Sequence, residues 1–453
     1  MMITSLKNSW NKFCMNKIII KDEQQRSRGK FKPAPDLTTE EVKDILLQKI
    51  EEETSKIIED PSDLELIKNA DFKIDRINVV SLFSGAGGLD LGAELAGLAS
   101  RIGVTEAMEI VKEKEAFQDI REKSLFHTIY TNDMFVEANE TYRKNFSSKI
   151  IQHQKDIRKV AHFPKNDLTI GGFPCPGFSE AGPRLIDDER NFLYIHFIRE
   201  LIQTQPLFFV AENVKGMMTL GKGAVLKQII EDFSSAGYTV TAHLVNARDY
   251  GVPQARERVF LVGVHKDKIE KRFGYHYELP FPTHGDPTKI DLISEKLPWV
   301  TLRDAIGDIE NNPGEYFEGS YSTIYMSRNR KKSWEDQSFT IQASGRQAPQ
   351  HPGGSPMTQY VDREDGRKRW KFNGENRRLS IKEIARIQTF PDWFEFSTGS
   401  PLGKSGREIS RNAQIDKVYK QIGNAVPVLL ARAIIQPIAD FLNEHLKEIR
   451  ELE

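Results

Sequence analysis

Short apolar runs alternate with longer stretches of helical periodicity through the middle of the chain. The runs are NVVSLF, HTIYTND, DLTIGGFP, LFFVAEN, YTVTAHLVNA and RVFLVGV. Runs this short and apolar, separated by segments long enough for helices, are typical of buried parallel strands. The pattern therefore predicts a doubly wound α/β domain over residues 77–279.

An N-terminal extension, residues 1–76, differs from this pattern in its charge. Residues 1–33 hold eight Lys and Arg against two acids, whereas residues 36–75 hold thirteen acids against five Lys and Arg. Thr38 and Glu41 have the spacing of a capping box. The apolar residues that follow recur at helical intervals: Val42, Ile45, Leu46 and Ile50. We expect an acidic amphipathic helix, which either docks on the main domain as a solvated helix or forms a DNA-contacting or self-regulating arm.

The C-terminal third divides into an irregular part and a helical part. Residues 280–376 are rich in Pro, Gly and charge and have few apolar runs, which predicts a smaller, irregular second domain. Between 311 and 378, twelve Lys and Arg stand against eight acids, and the basic residues interleave with Trp334, Trp370 and Phe372. Helical periodicity returns over 379–395 and 418–444, so we expect residues 377–453 to rejoin the first domain.

Composition limits the class of protein. With 453 residues, 39% hydrophobic and 28% charged, the chain has an ordinary soluble composition. No run approaches the ~20 apolar residues of a membrane span, so we expect a cytoplasmic protein. Two cysteines, Cys14 and Cys175, are too few for a disulfide framework or a multi-cysteine zinc site, and no metal is expected. The net charge of −1 gives no overall sign of a polyanionic partner.

A glycine-rich turn follows the first strand. Gly85, Gly87 and Gly88 lie between NVVSLF and a helix, where glycines let the backbone approach a ligand or simply pack tightly. At the next strand end, Asp133 is placed to bind ribose hydroxyls. The combination favours a nucleoside-containing cofactor. The pattern GxGG lacks the third glycine of the dinucleotide fingerprint, which disfavours a nicotinamide oxidoreductase.

Reactive side chains follow three later strands. Cys175 lies between two prolines at the end of DLTIGGF, as either a nucleophile or a packed, inert thiol. Glu212 ends the run LFFVA, where a charged acid is either used in function or held by a structural hydrogen bond. Gln254, Arg256 and Arg258 alternate with period two, which places them on one face of a strand. Two arginines there suit a phosphate or a base carbonyl, or else form a surface salt-bridge ladder.

Together these blocks resemble the DNA cytosine-5 methyltransferases, in particular the prokaryotic modification enzymes. The resemblance rests on ordered blocks that cover most of residues 77–435: FSGAGGLDLG, TND with TYRKNF, KDI, GGFPCPGFS, ENV, QARERVF, RRLSIKEIARIQTFPDWF and QIGNAVP. It implies an S-adenosylmethionine-dependent methyltransferase domain of Rossmann-like fold, with a target-recognition domain at 280–376.

The resemblance also assigns roles to individual residues. It implies an S-adenosylmethionine site lined by Phe83 on the adenine, Gly85, Gly87 and Gly88 around the pocket, Asp133 on the ribose, Asp156 on the adenine amine, and Asn424 closing the pocket. It implies that the Cys175 thiolate adds to carbon 6 of cytosine, because carbon 5 is too weak a nucleophile unaided. Glu212 would hold the ring nitrogen and amino group, while Arg258, with Arg256 and Gln254, would contact the base carbonyl and a neighbouring phosphate.

The DNA contacts implied by the resemblance fall in two segments. A base in a duplex must be flipped out to reach such a site, and SEAGPRLIDDERN, which begins at Ser179, has the polarity of a lid that would close over it; a static surface loop is the alternative. In the variable segment, the side chains that suit major-groove readout are Arg328, Arg330, Gln342, Arg346 and Gln347.

The sequence departs from the family pattern at three places. Pro176 replaces the glutamine that commonly follows the cysteine, and Met134 replaces a tryptophan that often stacks on the adenine. A stretch rich in Lys and Glu, residues 99–126, is additional.

The predicted activity is therefore methylation of cytosine within a short duplex DNA sequence, by a monomer that works beside a restriction endonuclease of the same site. Two alternatives stay open at this point. One is tRNA cytosine-5 methylation, which is weakened by the long variable segment and the absence of a CFT triplet. The other is a non-catalytic DNA-binding module, which the intact cysteine, glutamate and arginine block disfavour.

Overall fold

A computed structural model describes residues 48, 51–53, 55–174, 193–219, 223–289, 296–363, 366–403 and 406–451. Strands in this part of the chain are, in order, β1 Ile77–Leu82, β2 Phe126–Asn132, β3 Ile151–His153, β4 Leu168–Gly171, β5 Phe208–Val214, β6 Tyr238–Asn246, β7 Gln254–Ala255, β8 Glu257–His265, β9 His284–Gly285, β10 Leu297–Pro298, β11 Ser338–Phe339, β12 Met357–Val361 and β13 Lys368–Phe372. Its α-helices are α1 Pro61–Ile67, α2 Gly88–Ile102, α3 Val104–Ile110, α4 Lys114–Ile120, α5 Val136–Asn145, α6 Tyr194–Thr204, α7 Ala224–Ser235, α8 Lys271–Phe273, α9 Leu302–Ile306, α10 Ile381–Ile387, α11 Arg411–Asn424 and α12 Val428–Glu451.

A seven-stranded sheet organises the first domain, in the order β3-β2-β1-β4-β5-β8-β6. Neighbouring strands are parallel except around β8, which runs antiparallel to both β5 and β6. The α/β prediction is confirmed, and all six apolar runs form strands. The parallel direction expected for RVFLVGV is wrong, because residues 247–256 between β6 and β8 are too few for the crossover helix that a parallel pair needs.

Helices cover both faces of this sheet. On β1, Val80 and Leu82 face a core that includes α6 and α7, while Ile77 and Val79 face a core that includes α2 and α12. This alternation follows from the period of two along a strand. Both faces of the central strands β1, β4 and β5 are therefore buried, which explains their continuous apolar runs, whereas the edge strand β6 is mostly half-buried.

The C-terminal helix α12 lies directly against α2. A Cβ built on Gly92 would lie 2.3 Å from the Ala431 Cβ and 2.8 Å from the Val428 carbonyl oxygen, so only glycine allows this approach. The helical stretch Arg411–Glu451 contains an apolar segment long enough to cross a membrane, yet 67% of that segment is buried inside the protein. Its apolarity is that of a core helix.

The smaller region has a core of its own. It joins α9 with Ile341, α10 and α11, so residues on both sides of position 376 contribute to it. The helix predicted around Val42 to Ile50 lies outside the described residues, apart from helical positions at 48 and 51–53. The additional stretch 99–126 forms α3 and α4, and Phe117 of α4 stacks on Trp393 with ring centroids 5.7 Å apart.

Gly92→Ala tests the contact between α2 and α12. Because the added methyl group has no space, we expect the free energy of unfolding to fall by about 1–3 kcal/mol, less the gain in helix propensity. Gly307→Ala is the control, since a Cβ there meets only the Arg303 Cγ, at 3.5 Å. Thermal and urea unfolding measure the stability of both variants against that of the unmodified chain. A Gly92→Ala variant as stable as Gly307→Ala would contradict the close packing.

Candidate active site

The glycine-rich turn after β1 has an unusual backbone. Phe83 has φ 55°, and Gly85 and Gly87 have φ 53° and 87°. A left-handed conformation costs a residue with a Cβ about 1–2 kcal/mol, so Phe83 is held there by its surroundings. A Cβ on Gly85 would meet only the Phe83 carbonyl oxygen, at 4.0 Å. Gly85 therefore faces open space beside the turn.

Gly87 and Gly88 serve close packing. A Cβ on Gly87 would lie 2.4 Å from the Phe146 ring, and one on Gly88 would lie 2.5 Å from the Val426 carbonyl oxygen. The sequence left ligand binding and tight packing open for these glycines. The structure gives both a packing reason and leaves Gly85 as the glycine of the three with room for a ligand.

Asp133 connects the ends of β1 and β2. Its Oδ2 accepts a hydrogen bond from the Gly85 backbone N–H (3.0 Å), and its Oδ1 accepts one from the Phe135 N–H (2.8 Å). Burial raises the pKa of this carboxyl, and the backbone hydrogen bonds oppose the rise. Each carboxylate oxygen has two lone pairs, so Asp133 can accept further hydrogen bonds from a ligand.

Asp156 follows the neighbouring strand β3. It forms an ion pair with Arg158 (Nη2 to Oδ2, 2.6 Å) and accepts a hydrogen bond from the Arg158 N–H (3.1 Å). Burial raises the pKa of Asp156, but the hydrogen bonds from Arg158 outweigh it, and the net pKa is lowered. Asp156 is therefore an anion at neutral pH. Since β1, β2 and β3 are adjacent, Gly85, Asp133 and Asp156 leave neighbouring strand ends of one sheet edge.

Asn424 is the last residue of α11 and is exposed. Four residues earlier, the Lys420 Nζ lies 4.0 Å from the centroid of the Phe135 ring, beside Asp133. Sequence reasoning missed Lys420, although its i,i+4 spacing from Asn424 on a helix could have indicated it.

The chain leaves β4 toward Cys175 along a fixed path. Cys175 and Ser179 lie outside the described residues, which end at 174 and resume at 193. Before that gap, the Phe173 ring is buried, and the Phe173 carbonyl accepts a hydrogen bond from Asn213 Nδ2 (3.0 Å). The ENV block therefore holds the segment that leads to the cysteine, a role that sequence reasoning did not give to Asn213.

Glu212 and Arg258 form an ion pair at the ends of β5 and β8. Arg258 Nε lies 2.8 Å from Glu212 Oε1, and the two side chains are 13% and 11% exposed. Burial lowers the pKa of Arg258, and the Glu212 carboxylate partly offsets this. A Cβ on Gly172 would lie 3.1 Å from Glu212 Oε2, so the carboxylate stands against the backbone three residues before Cys175.

Arg256 has a different position from Arg258. Its side chain is 1% exposed, and its guanidinium donates to the carbonyl oxygens of Ile341 (3.1 Å), Gly423 (3.0 Å) and Ala425 (3.1 Å). Burial lowers the pKa of Arg256 well below its ordinary value. These contacts give Arg256 a structural place in the interior, where the sequence predicted contact with DNA.

Gln254 is likewise fully buried. Its Nε2 donates to Gln388 Oε1 (2.8 Å), and its Oε1 accepts from the Ile341 N–H (2.8 Å). Of the three residues on the predicted face, Arg258 alone meets Glu212. The other two fasten the smaller region and the C-terminal block onto the strand.

The predicted DNA-reading side chains differ in exposure. Arg328 and Arg346 are exposed, whereas Gln342 is half-buried with its carbonyl packed against Gly423. Arg330 Nη2 donates to Gln347 Oε1 (3.3 Å). Arg330 and Gln347 are therefore hydrogen-bonded to each other. Of this set, Arg328 and Arg346 are the side chains that extend into solvent.

Comparisons with known proteins agree with this arrangement. The family model described as C-5 cytosine-specific DNA methylase matches residues 77–440. The type II methyltransferase M.BsuRI of Bacillus subtilis is 61% identical over 93% of this chain and 93% of its own length. M.BspRI of Lysinibacillus sphaericus is 57% identical over 94% of this chain and 96% of its own length. M.FnuDI of Fusobacterium nucleatum is 41% identical, over 83% of this chain and 98% of its own length.

A solved structure shows the same fold. It is described as a DNA modification methyltransferase encoded within an Escherichia coli prophage, and it is 23% identical with a TM-score of 0.52, covering 81% of this chain and 99% of its own. The family match spans the glycine turn, the Glu212–Arg258 pair and the C-terminal block. The chain therefore belongs to the C-5 cytosine-specific DNA methylases, as a DNA methyltransferase of the type II restriction-modification kind.

Proposed function

We propose that the chain transfers a methyl group from S-adenosylmethionine to carbon 5 of a flipped-out cytosine within a short duplex DNA sequence. The observation that carries this proposal is the buried pair of Glu212 and Arg258, 2.8 Å apart, against the backbone that leads to Cys175. A carboxylate and a guanidinium side by side offer complementary contacts for the amino and carbonyl edge of cytosine.

The residues at the ends of β1, β2 and β3 fit S-adenosylmethionine. Gly85 leaves room at the turn, Asp133 has acceptor capacity for hydroxyl groups, and the anionic Asp156 can accept from an amine. Phe83 and Asn424 would complete the site. When bound, the cofactor supplies a methyl group on a positively charged sulfur, which is an electrophile.

The base side of the site activates the cytosine. The Cys175 thiolate adds to carbon 6, which moves electron density toward carbon 5 and the ring nitrogen. Glu212 accepts a hydrogen bond from the amino group and delivers a proton to the ring nitrogen as electron density moves onto it. Arg258 orients Glu212 and contacts the carbonyl. After methylation of carbon 5, loss of the proton at that carbon and departure of Cys175 restore the aromatic ring. A duplex base must leave the stack to reach this site, which costs a few kcal/mol.

The hairpin formed by β12 and β13 is a candidate DNA-reading element. Its base is anchored by the buried Met357 and by Phe372, whose ring lies 4.7 Å from that of Tyr321. Lys368, at the tip end, and Lys371, beside the base, are both exposed. They lie three residues apart on one strand and therefore on opposite faces of the ribbon. A two-stranded ribbon fits the major groove, and cations on both faces suit its flanking phosphates.

The type II names of the relatives support a restriction endonuclease of the same site as a functional partner. The chain acts on duplex DNA as a monomer in the cytoplasm. The proposed substrate is DNA, and the labelling experiment below includes tRNA as the competing substrate.

Incubation with labelled S-adenosylmethionine tests the reaction. We expect label on carbon 5 of one cytosine within a fixed duplex sequence, and we expect the modified duplex to resist an endonuclease that cuts that sequence. Chromatography of the nucleosides and sequencing of the product identify the base. Label on tRNA alone, or on no nucleic acid, would contradict the proposal.

Cys175→Ser tests the nucleophile. Because a hydroxyl is a far weaker nucleophile than a thiolate, we expect turnover and covalent capture of a 5-fluorocytosine duplex to be lost while S-adenosylmethionine binding survives. Cys14→Ser is the matched control and should retain both. A turnover rate for Cys175→Ser near that of the unmodified chain would exclude the assignment.

A double variant, Lys368→Ala with Lys371→Ala, tests the hairpin. Each phosphate contact contributes about 0.9 to the slope of log affinity against log salt, so we expect the slope to fall by about two. The affinity should fall equally for all sequences, because phosphates carry no sequence information. Lys227→Ala, at a lysine of α7 that is 79% exposed, is the control. An unchanged salt slope would remove the hairpin from the interface.

A further inference from the structure

One carboxylate of the N-terminal extension closes the loop that carries Asp156. Asp63, on α1, is 1% exposed. Its Oδ1 accepts a hydrogen bond from Lys155 Nζ (2.8 Å), and its Oδ2 accepts one from the Ala161 backbone N–H (2.5 Å). Lys155 immediately precedes Asp156, and Ala161 lies two residues after the single 3-10 turn, Ile157–Lys159, that follows Asp156. Asp63 thus joins the two ends of this loop.

Further contacts from the extension reinforce this closure. Asp60 Oδ2 also accepts from Lys155 Nζ (2.5 Å), and His153 Nε2 lies 3.4 Å from Asp63 Oδ1. Burial lowers the pKa of Lys155, but its hydrogen bonds to Asp60 and Asp63 outweigh this and raise it. Lys155 is therefore a cation held between two carboxylates of the extension.

The opposite side of the loop is held by the sheet domain. Arg199 of α6, which is buried, donates to the Ile157 carbonyl (3.0 Å), and Gln203 donates to the Ala161 carbonyl (2.7 Å). The loop thus lies between two sets of hydrogen bonds. The inner set comes from α6, and the outer set comes from α1 and the residue before it.

The outer set is an addition to the family core. The match to the family begins at residue 77, after α1, whereas the inner set lies within it. The outer set therefore comes from residues that precede the family match, and the extension adds a constraint on one loop of the cofactor side.

We propose that the extension tunes cofactor affinity, with Asp63 as a positioning residue that holds the loop of Asp156 in its binding conformation. This inference rests on the proposed use of S-adenosylmethionine. It gives the acidic extension a role through the cofactor side of the cleft, in place of the DNA-contacting arm that the sequence left open. Preorganisation of the loop lowers the entropy lost when the ligand binds.

Asp63→Asn in the full-length chain tests this role. Titration calorimetry with S-adenosylmethionine, without DNA, should show a Kd that rises about 5- to 30-fold. The reason is that the loop loses the ion pair between Lys155 and Asp63 and then samples other conformations. The kcat at saturating cofactor and the KM for DNA should stay within about twofold. Asp71→Asn is the matched control, since Asp71 of the same extension pairs with Lys73 (2.8 Å) and does not contact the loop.

A double-mutant cycle with Asp156→Asn separates positioning from general stability. If Asp63 acts through Asp156, the double variant should bind the cofactor no more weakly than Asp156→Asn alone. Lys155→Met should weaken cofactor binding as Asp63→Asn does, whereas Lys155→Arg should retain most of the affinity. These two variants test the proposal if Asp63→Asn does not fold. An unchanged Kd in Asp63→Asn, or additive losses in the cycle, would overturn the proposal. An unmodified chain that binds no S-adenosylmethionine would instead overturn the cofactor assignment on which it rests.

Discussion

The arrangement of the sheet domain and the smaller region depends on the hydrogen bonds that the buried guanidinium of Arg256 makes. A charge in the interior is costly unless it is hydrogen-bonded, and the two Nη atoms of Arg256 donate to carbonyl oxygens of Ile341, Gly423 and Ala425. One side chain thereby fixes the smaller region and the C-terminal block to the strand that carries Arg258, two residues later. Because Arg258 in turn holds Glu212, the same contact aligns the base side of the site with the rest of the molecule.

The sheet divides the chemistry between its two halves. The ends of β1, β2 and β3 present Gly85, Asp133 and Asp156, which suit a nucleoside-containing cofactor, while the ends of β4, β5 and β8 carry the path to Cys175, Glu212 and Arg258. Open α/β sheets bind ligands at the carboxyl ends of their strands. The antiparallel β8 brings the start of its strand to that same edge, which is why an arginine that precedes an apolar run can meet an acid that follows one.

Much of this could be predicted from the sequence, and the failures share a cause. Apolar runs predicted six strands, because the length and apolarity of a run are local signals. Strand-end positions predicted which polar side chains gather at one edge of the sheet. The period of two predicted Gln254, Arg256 and Arg258 on one face of a strand, whereas Gln254 lies in β7, Arg258 in β8 and Arg256 between them. The period could not show which side chains are buried, since the partners of Gln254 and Arg256 are 85 or more residues away. The sequence could not distinguish the glycines of the turn from one another. In the structure Gly85 faces open space, whereas Gly88 packs against the Val426 carbonyl. Asp63 was one of thirteen acids, and only the fold singles it out.

The contact of α2 with α12 also has a consequence for the order of events during synthesis. The helix that begins at the cofactor turn is made early, yet the surface that Gly92 presents is covered by Val428 and Ala431, more than 330 residues later in the chain. Until Val428 and Ala431 leave the ribosome, α2 on one face of the sheet has an uncovered apolar surface. Contacts of such long sequence separation slow folding and leave apolar surface open to association. The nascent chain therefore completes this domain only after residues 428–431 have left the ribosome.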